Sequence, residues 1–157
     1  MLLINNDLAK ALLTMDDCIR VQEEAYKELI TGDAVHRPRI DVYVPCERDD
    51  GYYRWGTMEG ASKSSGIFAI RMKSDIVYWP RNQEGGWTEE KYCGQPGTYC
   101  GLVFLFSTRN GEPLAMINDG HLQHMRVGGG AGLGAKYLEC RDAQSVGMLG
   151  SGGMARS

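Results

Sequence analysis

The chain has no run approaching the roughly 20 apolar residues that cross a bilayer. Its start, MLLINNDLAKALL, lacks the basic opening and long apolar stretch of a signal peptide. It also lacks an excess of positive charge. A formal net charge of −3 leaves no basic field to hold nucleic acid or an anionic membrane surface. Cysteine is sparse, and its spacing forms no pairs. Cys18, Cys46, Cys93, Cys100 and Cys140 are an odd set, without the close pairs of a zinc site or the even count of a secreted disulfide framework. The expectation is a soluble cytoplasmic protein with reduced cysteines, no metal, no nucleic-acid partner and no membrane partner. With 43% hydrophobic and 24% charged residues the composition is globular rather than disordered, and 157 residues suit one domain of ordinary size.

What is present is a mixed pattern. Asn5-Asn6-Asp7 offers helix caps ahead of Leu8, Leu12 and Leu13, which follow at helical spacing. Thr14 or Asp16 can cap a second helix whose apolar stripe is Cys18, Val21, Ala25, Leu29 and Ile30, and Gly32 can end it in the left-handed conformation. Arg37-Pro38-Arg39 forces extended backbone. Strands are expected over Ile40 to Pro45, Tyr52 to Met58 and Ile67 to Val77, with a turn at Gly60 to Gly66 and a polar surface loop over Pro80 to Gly97. Tyr99 to Ser107 reads as a buried strand, Arg109 to Pro113 as an Asn-Gly hairpin turn, and Leu114 to Ile117 as the returning strand. The fold class is therefore α+β with a mixed or antiparallel sheet over residues 1–120.

From residue 121 the character changes. Glycine is the compositional oddity, 21 in all, and Gly128, Gly129, Gly130, Gly132 and Gly134 fall within an otherwise apolar helix over His121 to Cys140. Each costs up to about 1 kcal/mol against alanine in a helix. Such a run either lets a backbone or a cofactor come close or makes a flexible linker. Ser145 to Leu149 then reads as a short buried strand leading into Gly150-Ser151-Gly152-Gly153-Met154-Ala155, a G-x-G-x-x-A form of the dinucleotide loop. Its first glycine permits a tight turn, Gly152 lets backbone approach a pyrophosphate, and amides opening the next helix meet the phosphate charge. Residues 121–157 are thus expected to be a linking helix and the start of an α/β Rossmann domain. The second strand and acidic ribose ligand of a complete unit do not follow, so the domain reads as truncated at Ser157.

Several of these pieces together resemble the ornithine cyclodeaminase/mu-crystallin family. They are Ile70-Arg71-Met72-Lys73, Gly111-Glu112-Pro113-Leu114-Ala115, Leu122-Gln123-His124-Met125-Arg126, the small-residue helix, and Leu149 to Ala155. The resemblance implies an N-terminal substrate and dimerisation domain, NAD or NADP as cofactor, and a homodimer. The remainder of the nucleotide domain would come from a C-terminal half or a second chain. It implies that Lys73 is catalytic and reaches the substrate carboxylate, that Arg126 grips that carboxylate beside the nicotinamide, and that Arg39 (with Arg37 an adjacent rival) is a further substrate contact. Thr98, Arg126, Gly150, Ser151, Gly152, Gly153 and Met154 would touch cofactor. Val127 stands where the family pattern has threonine, and Glu47 to Ser65 lengthens the stretch between Arg39 and Lys73. The implied substrate pocket is accordingly not that of a standard ornithine cyclodeaminase.

The function implied is hydride transfer at the α-carbon of a small amino acid or of its cyclic or linear imine, with net redox change or as a redox-neutral cyclodeamination. The alternatives are a mu-crystallin-like nucleotide-dependent binding protein, or a fragment inactive without its C-terminal half. Plainer roles exist for the same residues. Lys73 could be a solvated edge lysine, and Arg126 could pair with Asp119 or Glu139. His121 and His124, at i and i+3, suit a surface or capping role better than a metal site, and the spacing of Asp75 and Glu59 does not support a carboxylate pair. Trp55, Tyr78, Trp79 and Trp87 are more commonly core or loop anchors than pocket walls.

Overall fold

A computed structural model describes residues 1–92 and 101–156. A short strand β1 (Leu2–Ile4) precedes two helices, α1 (Asn6–Leu12) and α2 (Met15–Thr31). The Asn5 side chain caps α1 by accepting from the Leu8 N–H at 2.9 Å. Of the two expected caps for α2 it is Thr14 that serves, in a capping box with Asp17, and Gly32 closes the helix at φ 79°. Strands β2 (Ala34–Pro45), β3 (Gly51–Ser62) and β4 (Ile67–Tyr78) follow as an antiparallel meander. They run longer than their apolar alternation suggests. β2 takes in the Arg37-Pro38-Arg39 segment, with a register shift between Arg37 and Ile40 where Pro38 has no N–H to give the ladder. β3 runs on through Gly60 to Ser62, because Gly66 at φ 66° turns the chain in fewer residues than expected.

The expected loop after β4 contains a small strand, β5 (Glu90–Tyr92), paired with the end of β4. β6 (Leu102–Ser107) and β7 (Pro113–Asn118) form the Asn-Gly hairpin. Tyr99 and Cys100, assigned to β6 from sequence, lie outside the described residues. The sheet order is β1-β7-β6-β4-β3-β2, with β1 parallel to β7 and every other pairing antiparallel. The sheet is therefore mixed.

Its two faces differ in chemistry. One carries Val42, Val44, Tyr53, Trp55, Phe68, Ile70, Phe104 and Phe106, all half-buried or exposed. The other carries the buried Val77 and Ala115 together with Arg54, Arg71, Lys73 and Asp75, and Arg54, Lys73 and, near it, Asp119 are among the most buried side chains of the chain. Such charged residues are seldom fully buried unless paired, and all three are paired here.

Helix α3 (Asp119–Leu138) follows β7 directly. Its glycines seat α2. A methyl at Gly129 would lie 2.5 Å from Gln22 Nε2 and 3.1 Å from Cys18 Sγ, and one at Gly132 would lie 3.4 Å from Ile19 Cδ1. The Cys18 thiol donates to the Met125 carbonyl at 3.2 Å across the same contact. The close approach is thus helix on helix, and the segment is no linker.

Three expectations are corrected. Ser145 to Leu149 is neither a strand nor buried, and Leu149 is fully exposed. A strand requires ladder partners, and none of the described residues offers one there. Leu102–Ser107, read from sequence as part of a buried strand, is half-buried throughout, and on α2 Val21, Leu29 and Ile30 remain exposed.

Gly101, at the foot of β6, has φ 155°, and a methyl there would sit 2.0 Å from the Met72 carbonyl oxygen and 3.1 Å from Lys73 Cα. Both are main-chain atoms of β4 and cannot swing aside. Gly101→Ala is expected to destabilise the fold by about 1–3 kcal/mol, the usual cost of overpacking. An unchanged urea midpoint would show that β4 and β6 can separate at this point without cost.

Candidate functional site

The register of β2, β3 and β4 sets two rows of residues side by side. Asp41 faces Gly56, which faces Lys73. Two residues along, Tyr43 faces Arg54, which faces Asp75. Gly56 leaves a notch in the first row. A side chain there would place its Cβ 2.2 Å from Asp41 Oδ1 and 3.4 Å from Lys73 Cγ. Asp41 lies across β3 through that notch, and its Oδ2 holds Arg39 Nη2 at 2.8 Å. Asp41 Oδ1 is buried with no hydrogen-bond partner among the described residues.

In the second row Arg54, 2% exposed, makes a two-pronged contact with Asp75, Nε and Nη2 each donating at 2.9 Å. Its Nη1 reaches Glu89 Oε1 at 3.3 Å, tying the residues before β5 to the sheet. Lys73, 7% exposed, has its Nζ 3.5 Å from Asp75 Oδ2. Burial pushes the Lys73 pKa below its ordinary value. Asp75 opposes that shift, while Arg54, Lys91 and Arg39 add to it. Burial would raise Asp75, but the Arg54 hydrogen bonds and the charge on Lys73 outweigh it and hold the carboxyl below the usual range. For Arg54 the balance also favours charge: desolvation pulls its pKa down, and Asp75, Tyr43 and Glu89 carry it above the ordinary value.

Arg71 lies on the same face of β4, two residues before Lys73. Its Nε donates to Asp119 Oδ2 at 2.6 Å, and its Nη2 to Gln123. The pairing of Arg126 with Asp119 considered from sequence does not occur, because Arg71 occupies that carboxylate. Arg126 is exposed and has no ion-pair or hydrogen-bond partner among the described residues. It lines a cleft of about 430 Å³ with Arg39, Arg71, Met58 and Val103.

Arg39, its rival Arg37 and Arg126 are thus brought to one cleft. Lys73 stands beside it, separated from Arg39 by Asp41 and the Gly56 notch. The glycine loop lies apart from these cations. It meets α3 at His124, whose ring would be 2.6 Å from a Cβ on Gly153. His124 and Arg126 are two residues apart and so about 200° apart around the helix. Gly150 adopts φ 98°, and a Cβ on Gly150 or Gly152 would meet nothing within 4 Å. Gly153–Ala155 form a single 3-10 turn, and Arg156 Nε donates to the Ser151 carbonyl at 2.7 Å. Ser151 and Met154 are exposed beside it. An open backbone that begins with a left-handed glycine fits the close approach of a pyrophosphate. Thr98 lies outside the described residues. Asp75 and Glu59 do not meet, since Glu59 lies opposite Ile70 and Asp75 opposite Arg54, on opposite faces of the sheet, and Glu59 is held by Arg37.

Sequence reasoning passed over Arg54, Arg71, Asp41 and Glu89, and gave Asp75 no charge partner. One signal was available. Folding the strands about a turn at residues 63–66 sets Arg54 directly opposite Asp75, and opposite charges facing each other on one hairpin suggest a cross-strand pair.

The model of the ornithine cyclodeaminase/mu-crystallin family matches residues 1–157. Alanine dehydrogenase of Archaeoglobus fulgidus is 26% identical over 154 residues, covering 98% of this chain and 42% of that protein. A Delta(1)-pyrroline-2-carboxylate reductase of Bacillus cereus is 25% identical over 156 residues, covering 99% and 43%. Among solved structures, an archaeal alanine dehydrogenase dimer with bound NAD superposes with a TM-score of 0.73 at 25% identity, covering 99% of this chain and 42% of that one. The Thermococcus litoralis Delta(1)-pyrroline-2-carboxylate reductase, in complex with NADH and L-proline, gives a TM-score of 0.71 at 26% identity, covering 99% and 43%. The chain spans less than half the length of these relatives.

Proposed function

The chain belongs to the ornithine cyclodeaminase/mu-crystallin family, and from that membership we propose that it forms the substrate-binding part of an NAD(P)-dependent oxidoreductase acting on a small amino acid or its imine. The observation that carries this reading is the cationic cleft. In a protein of net charge −3, Arg37, Arg39, Arg71 and Arg126 line one cleft with a single carboxylate, Glu59, which Arg37 holds, and the buried Lys73 stands beside it. Arg39 and Arg71 already have carboxylate partners, whereas Arg126 has none among the described residues. Its planar fork of donors suits a carboxylate from the substrate.

Residues 1–120 would then hold substrate, and residues 121–157 would open the nucleotide domain with Gly150 to Met154 against the pyrophosphate. The nicotinamide supplies hydride exchange at the substrate α-carbon. The chain's own residues bind and orient. Arg126 fixes the carboxylate, which limits the α-carbon to few orientations. Lys73 Nζ, its pKa lowered by burial, takes up or releases a proton at the substrate nitrogen. Net NAD(P)H formation or consumption would distinguish this reaction from cyclodeamination, which releases ammonia with no net change in cofactor. The half-exposed apolar face of the sheet supports a homodimer formed through it. No helix among the described residues is long and apolar enough to cross a membrane.

In the complete enzyme Arg126→Lys is expected to weaken carboxylate substrates by roughly 1.5–3 kcal/mol, the scale of a hydrogen bond to a charged group. Folding should be unaffected, because the exposed side chain supports nothing else. Unchanged substrate kinetics with a lowered melting temperature would make this arginine structural and remove the anchor of the reading.

A further inference from the structure

We infer that Asp75, clamped by Arg54, is a positioning residue that holds the Lys73 ammonium in place by a fixed counter-charge. This rests on the reading above that Lys73 meets substrate, and it adds two residues to that site. The geometry is specific. Arg54 and Asp75 are directly opposed on β3 and β4, and two 2.9 Å donations leave the carboxylate a single orientation. In that orientation Oδ2 faces Lys73 Nζ at 3.5 Å from the same face of the same strand. An ammonium on four methylenes has large rotamer freedom, and a fixed counter-charge removes much of it.

A merely structural ion pair would need only Arg54 and Asp75. Here Arg54 also takes Glu89 from the segment leading into β5, so the guanidinium that orients the carboxylate beside Lys73 is itself held by a second contact. The other charged groups around Lys73 do not substitute for Asp75. Arg54, Arg39 and Lys91 are cations. Asp41, across the Gly56 notch, is engaged with Arg39, and Glu89 is engaged with Arg54 and Lys91. Asp75 is thus the one carboxylate among the described residues that is ion-paired to Lys73. Its charge opposes the effect of burial on Lys73, and so bears on the pH at which Nζ yields its proton.

The test uses the complete protein. The Lys73 ζ-ammonium resonance, assigned by its loss in Lys73→Met, is titrated by NMR in wild type and in Asp75→Asn, alongside the pH profile of kcat/KM. Removing the negative charge should lower the Lys73 titration by about one pH unit or more, the usual effect of an opposite charge within 4–6 Å. The alkaline limb of the profile should shift with it, kcat should fall more than KM rises, and Asp75→Glu should restore part of both. If Asp75→Asn fails to fold because Arg54 is left half-paired, the double variant Arg54→Met/Asp75→Leu leaves no partnerless charge in the pair and should show a smaller shift in the same direction, because Arg54, which also lowers the Lys73 pKa, is lost with Asp75. An unchanged Lys73 titration and pH profile in whichever variant folds would reduce the pair to scaffolding. Full activity of Lys73→Met would instead overturn the functional reading while leaving the titration result intact, so the two failures are separable.

Discussion

Arg54→Met is expected to cost the fold about 3–5 kcal/mol, the usual penalty for removing one partner of a buried ion pair. The loss does not come from the hydrogen bonds alone. Arg54 and Asp75 are both removed from water, and truncating the arginine leaves a buried carboxylate whose remaining counter-charge is Lys73 at 3.5 Å. Glu89 would lose the contact that ties its segment to the sheet, but its side chain is 41% exposed and regains water cheaply. The double variant Arg54→Met/Asp75→Leu should recover part of the loss, because apolar side chains replace both charges, while Lys73 is left without its counter-charge. Urea unfolding of the two variants measures this directly. A single variant within about 1 kcal/mol of wild type, the range of an exposed pair, would mean that water reaches this site.

Lys73→Met is expected to separate function from stability. In the complete enzyme kcat/KM should fall by about 10²–10⁴-fold, the range of a positioned acid or base. The melting temperature at neutral pH should not fall. The reason lies in the sign of the Lys73 shift. Its folded pKa is below the ordinary 10.5, so the unfolded chain binds that proton more tightly than the folded one. The charged lysine therefore costs stability at every pH below its folded pKa, and that cost fades as pH rises from there towards 10.5. Methionine, of similar length, carries no such cost. Undiminished kcat/KM would exclude Lys73 from the chemistry. Lost activity accompanied by a clear drop in melting temperature would mean that the Lys73–Asp75 pair supports the fold more than its burial costs, which would make the lysine structural.

The strands were legible where apolar and polar residues alternate, as over Ile67 to Val77, and the helices where caps bracket a 3.6-residue period, as at Thr14 and Gly32. Strand ends were less so. Gly60 to Ser62 carry little apolar pattern, yet they belong to β3 because Ala34 to His36 pair with them. The opposite error occurred at Ser145 to Leu149. There the apolar run is real, but a strand is a relation between neighbours and no described residue supplies the neighbour.

The site divides along the same line. Lys73, Arg126 and the loop Gly150 to Ala155 stand in local motifs, so the sequence alone singled them out. Gly129 and Gly132 were marked as places of close approach by the absence of a side chain, but only the packed structure identified α2 as the element that approaches. The partnerships were decided by tertiary structure. Arg71 rather than Arg126 takes Asp119, Asp41 reaches over Gly56 to Arg39, and Arg54 locks Asp75 beside Lys73. Periodicity and capping are properties of a segment and can be read along the chain. An ion pair between residues 21 or 48 positions apart depends on strand register and on which competing carboxylate comes closer, and those are set only when the sheet and α3 close together.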